Sequence, residues 1–202
     1  IAFKRYGGAL LREPEDIRTK SGDVYKVYTP FWRALRQGLV VPAPKPAPRN
    51  IPATSRILKG LALEELDLLP LKPDWAGGLR DAWTPGEAGA NARLNSFLKN
   101  AMADYAYLRN RPDIEGTSRL SPHLHFGEIT PGMCWHRARQ VAAHMHGADK
   151  GYETFLKELV WREFSYTLLF HWNDLPDKPF RSEFMHFGWK KNAQDLKSWQ
   201  NG

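Results

Sequence analysis

Cysteine is almost absent from this chain, with Cys134 alone among 202 residues. A single thiol excludes an internal disulfide framework and fits a reducing compartment. Long apolar runs are missing too. No stretch approaches the roughly 18–20 residues of a membrane span, and no signal-peptide pattern opens the chain. The Gly-rich phosphate loops of the two nucleotide-binding types and the Gly-x-Ser-x-Gly nucleophile elbow are lacking, so kinase and serine-hydrolase readings have no support. His123-x-His125 and His144-x-His146 have no further ligands at metal spacing, and no metal centre is expected. There is no internal repeat. Ile1 in place of an initiator methionine points to a fragment or a processed start.

What is present is a globular composition, 42% hydrophobic and 25% charged, long enough to bury a substantial core. The net charge of +7 invites a nucleic-acid partner. Residues 1–50 hold ten Lys/Arg against four Asp/Glu, and the rest of the chain nineteen against eighteen. Most of the basic excess thus lies upstream of the helical part. Eight tryptophans are many for this length, and such clusters mark cores, interfaces or electron routes.

Ala9-Leu10-Leu11 and Val24-Tyr25-Lys26-Val27-Tyr28 are strand-like in pattern, and Thr29-Pro30 opens a short helix from Phe31 to Arg36. Thirty-six residues cannot bury two strands and a helix alone, so residues 1–37 read as the end of a larger α/β unit. Pro42, Pro44, Pro46 and Pro48 mark an extended linker. Residues 38–89 continue as an interdomain connection, with leucines and tryptophans as anchors and with Pro70 and Pro73 stopping any helix. Helical spacing then dominates. One helix runs from Ala90 to about Asn110, a second from a Thr130-Pro131 start to about His146, and the longest from Tyr152 to about His171. A turn and a short helix follow. The fold class expected is mainly α over residues 90–202.

The stretch Gly116-Thr117-Ser118-Arg119-Leu120-Ser121-Pro122 is a polar turn feeding a helix, with Ser121 as N-cap and Pro122 at the first helical position. Its hydroxyls, its arginine and the unpaired N–H groups of the helix start suit either a structural cap or a seat for a phosphate. On the longest helix Glu158, Trp161, Arg162 and Ser165 share one face. That face is open to two readings. It is a solvated surface with a Glu158–Arg162 pair, or a site in which Trp161 stacks on a base, Arg162 donates hydrogen bonds and Glu158 accepts them. Tyr105 continues an apolar stripe, and Arg109 lies near a helix C-terminus, where a cation is favoured in any case.

Thr117-Ser118-Arg119-Leu120-Ser121-Pro122-His123-Leu124-His125-Phe126-Gly127-Glu128-Ile129 resembles the signature run of the DNA photolyase/cryptochrome flavoproteins. Glu158-Leu159-Val160-Trp161-Arg162-Glu163-Phe164 resembles that family's dimer-recognition motif. The Thr29-Pro30-Phe31 helix resembles the exit helix of its N-terminal domain. With Tyr105, Arg109 and Trp189 at matching offsets, the likeness covers most of the chain.

The resemblance implies the first half of a helical FAD-binding domain over 90–202, the last strand and helix of a Rossmann-like antenna domain over 1–37, and the linker over 38–89. It implies FAD held by Tyr105, Thr117, Ser118, Arg119, Leu120, Ser121 and Phe155, and catalysis by Glu158 and Trp161. DNA contacts fall to Arg109, Glu158, Leu159, Val160, Trp161, Arg162, Glu163, Phe164 and Ser165, and the outer end of an electron relay to Trp189. The implied activity is light-driven repair of cyclobutane pyrimidine dimers by a cytoplasmic monomer, with damaged DNA as partner. A folate or deazaflavin antenna would belong to the full-length protein, and these 202 residues alone would be inactive. A signalling cryptochrome, a (6-4) photolyase and a helical DNA-binding module without flavin are the alternatives.

Overall fold

The computed structural model describes residues 3–4, 6–52, 60–69 and 72–202. Ile1 and Pro70 lie outside the described residues. Eight α-helices follow in chain order among those described: α1 Tyr28–Gly38, α2 Gly77–Ala82, α3 Glu87–Asn100, α4 Tyr105–Leu108, α5 Ser121–His125, α6 Pro131–Ala142, α7 Asp149–His171 and α8 Ala193–Asn201. Single 3-10 turns form at Pro14–Asp16, Glu64–Leu66 and Ser182–His186.

The molecule is built around α7, the longest helix, which packs against α1, α4, α6 and the Pro14–Asp16 turn. Two apolar stripes on α7 explain its central place. Phe155, Leu156 and Leu159 join Leu94, Phe97 and Leu98 of α3, Tyr105, Leu120, Leu124 and Cys134 in one buried cluster. Val160 and Phe164 join Ile17, Phe31, Trp32 and Leu35 in another. A helix buried on two sides reads in sequence as one wide stripe with apolar residues beside it. Burial also pushes the Cys134 thiol up to about 12, leaving it an inert core group.

The α7 start needs a glycine. A Cβ on Gly151 would stand 1.9 Å from the carbonyl oxygen of Met102 and 2.4 Å from that of Ala103, so only the bare backbone can approach the 101–104 turn. That turn corrects the expected single helix over 90–110. After α3 the chain turns, with the N–H groups of Ala101 and Met102 both bonded to the Phe97 carbonyl, before α4 resumes at Tyr105. Thr130 caps α6 as expected, its hydroxyl accepting from the Met133 N–H at 3.1 Å.

The strand-like runs Ala9–Leu11 and Val24–Tyr28 do not form strands; no strand occurs among the described residues. A strand needs a second backbone to pair with, and here α7 satisfies the first run instead. The Leu11 and Arg12 N–H groups donate to the Glu163 carboxylate at 2.7 and 3.3 Å, and Arg162 donates to the Ala9 carbonyl at 2.7 Å. Tyr28 is the first residue of α1, which begins earlier than expected and without a Thr29 cap.

The connection over 38–89 departs from expectation as well. Leu61, Leu63, Leu68, Leu69 and Trp75 are exposed and do not anchor it. Trp83 does: its ring meets His123 edge-on at 6.1 Å, with the Arg93 guanidinium 5.7 Å from the ring centre. At the other end His136 Nε2 donates to the carbonyls of Val41 and Pro42 at 3.0 and 2.9 Å. No helix among the described residues is long and apolar enough to cross a membrane.

Candidate cofactor and base-recognition site

A cavity of about 570 Å³ opens between the 117–121 turn, α4, α5 and α7. Small-molecule sites commonly have such a volume. Gly116 sets the turn in place: a Cβ there would fall 2.7 Å from Leu108, so the chain passes close beneath α4. Arg119 then takes a left-handed conformation, φ 53°, which costs a residue with a Cβ about 1–2 kcal/mol. Such strain persists where the surroundings dictate it and gathers at ligand clamps. The helix that follows starts at Ser121 itself, with Leu120 flanking it and no side-chain cap. Ser121 is therefore not the N-cap; it is among the residues that line the cavity.

The wall divides by chemistry. Thr117, Ser118, Arg119 and Ser121 supply hydroxyls and a guanidinium on one side, while Tyr105, Phe155, Leu120, Leu124 and Leu159 supply apolar surface. Phe97 braces two of the rings from behind, edge-on to Tyr105 at 5.2 Å and tilted on Phe155 at 4.7 Å. Burial raises the Tyr105 hydroxyl above its ordinary range, with the charge of Glu158 adding to the effect. Arg119 pairs with exposed Glu115 at 3.0 Å, a solvent-screened contact that an anionic ligand can displace. The donor set suits a ligand with a phosphate end and a flat apolar end.

All seven residues assigned to FAD by resemblance line this one cavity, and Glu158, Leu159 and Arg162 line it with them. Other assigned residues stand elsewhere. Glu158 pairs with Arg109, not with Arg162. Arg162 reaches the Ala9 and Leu124 carbonyls and lies 4.6 Å over the Tyr166 ring, so most of its donors are engaged within the protein. Trp161 sits about 60° around the helix from Glu158, outside the cavity wall and 43% exposed. Ser165 back-bonds to the Trp161 carbonyl at 2.9 Å.

Val160, Glu163 and Phe164 are buried against α1 and the N-terminal segment, which leaves them no surface on which to meet DNA. They hold the helix that presents the site. Burial pushes the Glu163 carboxyl up to about 7, against the Leu11 and Arg12 N–H groups and Arg162, which favour its charge; Glu13 adds to the rise. Trp189 stands on the surface, 80% exposed, with the Phe187 ring 4.8 Å away.

Leu124 and His125, quoted in the signature run but given no site role there, also line the cavity, as does Tyr166, which the sequence reading did not single out. Tyr166 was within reach, four residues beyond Arg162 on the same helix face. No group of three or more His, Cys, Asp or Glu side chains among the described residues is placed to hold a metal ion.

Comparison with known proteins matches the two ends of the chain to family models. Residues 155–202 match the family described as "FAD binding domain of DNA photolyase", and residues 1–49 the family described as "DNA photolyase". The chain is 41% identical over its whole length to a deoxyribodipyrimidine photo-lyase of Agrobacterium fabrum, covering 42% of that protein. It is 37% identical to the Synechococcus deoxyribodipyrimidine photo-lyase over 94% of the chain and 40% of that protein. A bacterial class III photolyase structure from Agrobacterium tumefaciens superposes with a TM-score of 0.88 at 43% identity, over 96% of this chain and 40% of that one. A Synechocystis cryptochrome shares the fold alone, TM-score 0.67 at 19% identity, over 97% of this chain and 41% of that one. The chain spans about two-fifths of the length of these two curated photo-lyases.

Proposed function

The chain belongs to the DNA photolyase/cryptochrome family, and from that premise we propose that it carries the phosphate-side flavin wall and part of the lesion-recognition face of a light-driven repair enzyme for cyclobutane pyrimidine dimers. The observation that carries this reading is the single cavity in which all seven residues of the flavin set meet Glu158. Reduced FAD held there would supply a light-excited electron for cleavage of the dimer and would take that electron back once the dimer has split. The residues of this chain do the binding and positioning. Thr117, Ser118 and Ser121 donate hydrogen bonds to phosphate oxygens, and Arg119 supplies charge. Tyr105, Phe155 and Leu159 exclude water from the flat end of the ligand. Glu158, held by Arg109, accepts hydrogen bonds from base N–H groups, and Trp161 offers a stacking face to a base turned out of the duplex. The higher identity to named photo-lyases supports repair over signalling, although Arabidopsis cryptochrome-1 is itself 29% identical over the whole chain and 30% of its own length. A cytoplasmic setting suits bacterial relatives of this kind.

The test uses the complete gene product that contains these residues, mixed with a thymine-dimer oligonucleotide with and without blue light. Recovery of intact thymines only under illumination, abolished by E158A and W161A, supports the reading. A flavin spectrum without recovery would favour a cryptochrome or a (6-4) enzyme in its place.

A further inference from the structure

The Tyr28 ring lies flat on the Trp161 indole, the centroids 3.6 Å apart and the planes within 4°. Aromatic pairs left to themselves prefer edge-on or offset arrangements, so a parallel overlap this close is imposed by its surroundings. Two constraints impose it. The Tyr28 hydroxyl donates to the Lys157 carbonyl at 2.8 Å, the same carbonyl that accepts the Trp161 N–H in the helical register of α7. Phe31 and Leu35 of α1, both fully buried, clamp the helix that carries Tyr28 onto Val160 and Phe164. Phe164 closes a third side, edge-on to both rings at 5.9 and 6.0 Å. Trp161 is thus covered on one face and braced at an edge, yet remains 43% exposed.

Docking of α1 does not require this geometry. Phe31, Trp32 and Leu35 provide its buried apolar contact, and Tyr28 is only partly buried beside them. Burial, with the charge of Glu158 adding and that of Arg109 opposing, pushes the Tyr28 hydroxyl up to about 12, so it remains a donor throughout the neutral range. The same charges place the stacked pair beside the Arg109–Glu158 ion pair.

We propose that Tyr28 is a positioning residue of the base platform, closing one face of Trp161 and fixing its tilt so that a turned-out pyrimidine stacks only on the opposite face, next to Glu158. The inference rests on the dimer-repair reading above and adds to it a residue from outside the helical segment that builds the cavity.

Binding is measured in the dark, on an oligonucleotide carrying one thymine dimer and on its undamaged twin. The proteins compared are the complete gene product and its Y28F, Y28L, Y28M, W161L and Y28L/W161L variants. A lost aromatic stack corresponds to about a three- to tenfold change in affinity. Y28F keeps the preference for dimer DNA within about twofold, because the ring remains. Y28L and Y28M each lose about three- to tenfold of it while binding undamaged DNA as before. In the W161L background, Y28L costs nothing further, because its effect passes through the indole. A preference indifferent to residue 28, a loss undiminished in the W161L background, or a parallel fall for undamaged DNA would overturn the proposal and leave the repair reading standing. Absence of any dimer preference in the unaltered protein would overturn both.

Discussion

Replacing Glu163 by glutamine isolates the cost of keeping a carboxyl in the interface between α7 and the N-terminal segment. Glu163 is 1% exposed and accepts from two backbone N–H groups of residues 11 and 12. Its pKa rises from 4.5 to about 7 because burial disfavours the charge more than those donors and Arg162 favour it. The folded chain therefore holds this proton to higher pH than the unfolded chain does. The stabilisation is complete below about pH 4.5 and is lost as pH rises through about 7. A shift of about 2.5 units at about 1.4 kcal/mol each makes that loss roughly 3 kcal/mol. Urea unfolding of wild type and E163Q across pH 4.5–8 reads it out as a difference in slope, free of any constant offset from the amide's own hydrogen bonds. Wild type should lose roughly 3 kcal/mol relative to E163Q across this window. Parallel stability profiles would refute the assignment, and so would a wild type that gains on E163Q as pH rises.

Three further outcomes follow from the geometry. G151A forces a Cβ to 1.9 Å from the Met102 oxygen and should destabilise the chain by several kcal/mol, roughly 3 or more, seen as a large fall in thermal midpoint. T130A removes the α6 cap and should cost about 1 kcal/mol in urea unfolding. R109M breaks a partly exposed ion pair and should change stability by less than about 1 kcal/mol. It should nevertheless weaken binding of dimer DNA, because Glu158 loses the partner that orients it.

The helical architecture was legible where periodicity and caps agree. Thr130-Pro131 marks the start of α6, and the apolar stripe over residues 152–171, unbroken by Gly or Pro, marks the long helix α7. The 101–104 turn was not legible, because Tyr105 keeps the spacing of Leu94, Phe97 and Leu98 across it. The turn packs closely against Gly151, a contact some fifty residues distant in sequence. The strand-like pattern at Ala9–Leu11 records apolar content and not pairing. Its Leu11 N–H is met by a carboxylate more than 150 residues away. In the cavity, motif resemblance named the residues that the fold brings together, yet not which carry their neighbours' load. Sequence spacing suggested Glu158–Arg162, whereas the partner is Arg109, just past the end of α4. The run Leu159–Ser165 reads as one motif, while the helix turns Val160, Glu163 and Phe164 inward. Tyr28 carried no signal at all, because its partner Trp161 is distant in sequence and lies on another element.

The flavin assignment rests most directly on the 117–121 turn and α7 together forming a flavin-phosphate seat. The deciding measurement is the flavin content of the purified complete gene product, compared with a T117A/S118A/R119A variant of matching circular dichroism. Close to stoichiometric FAD is expected in the first and a large loss in the second. Absence of flavin from the unaltered protein, or full retention by the variant, would contradict that assignment.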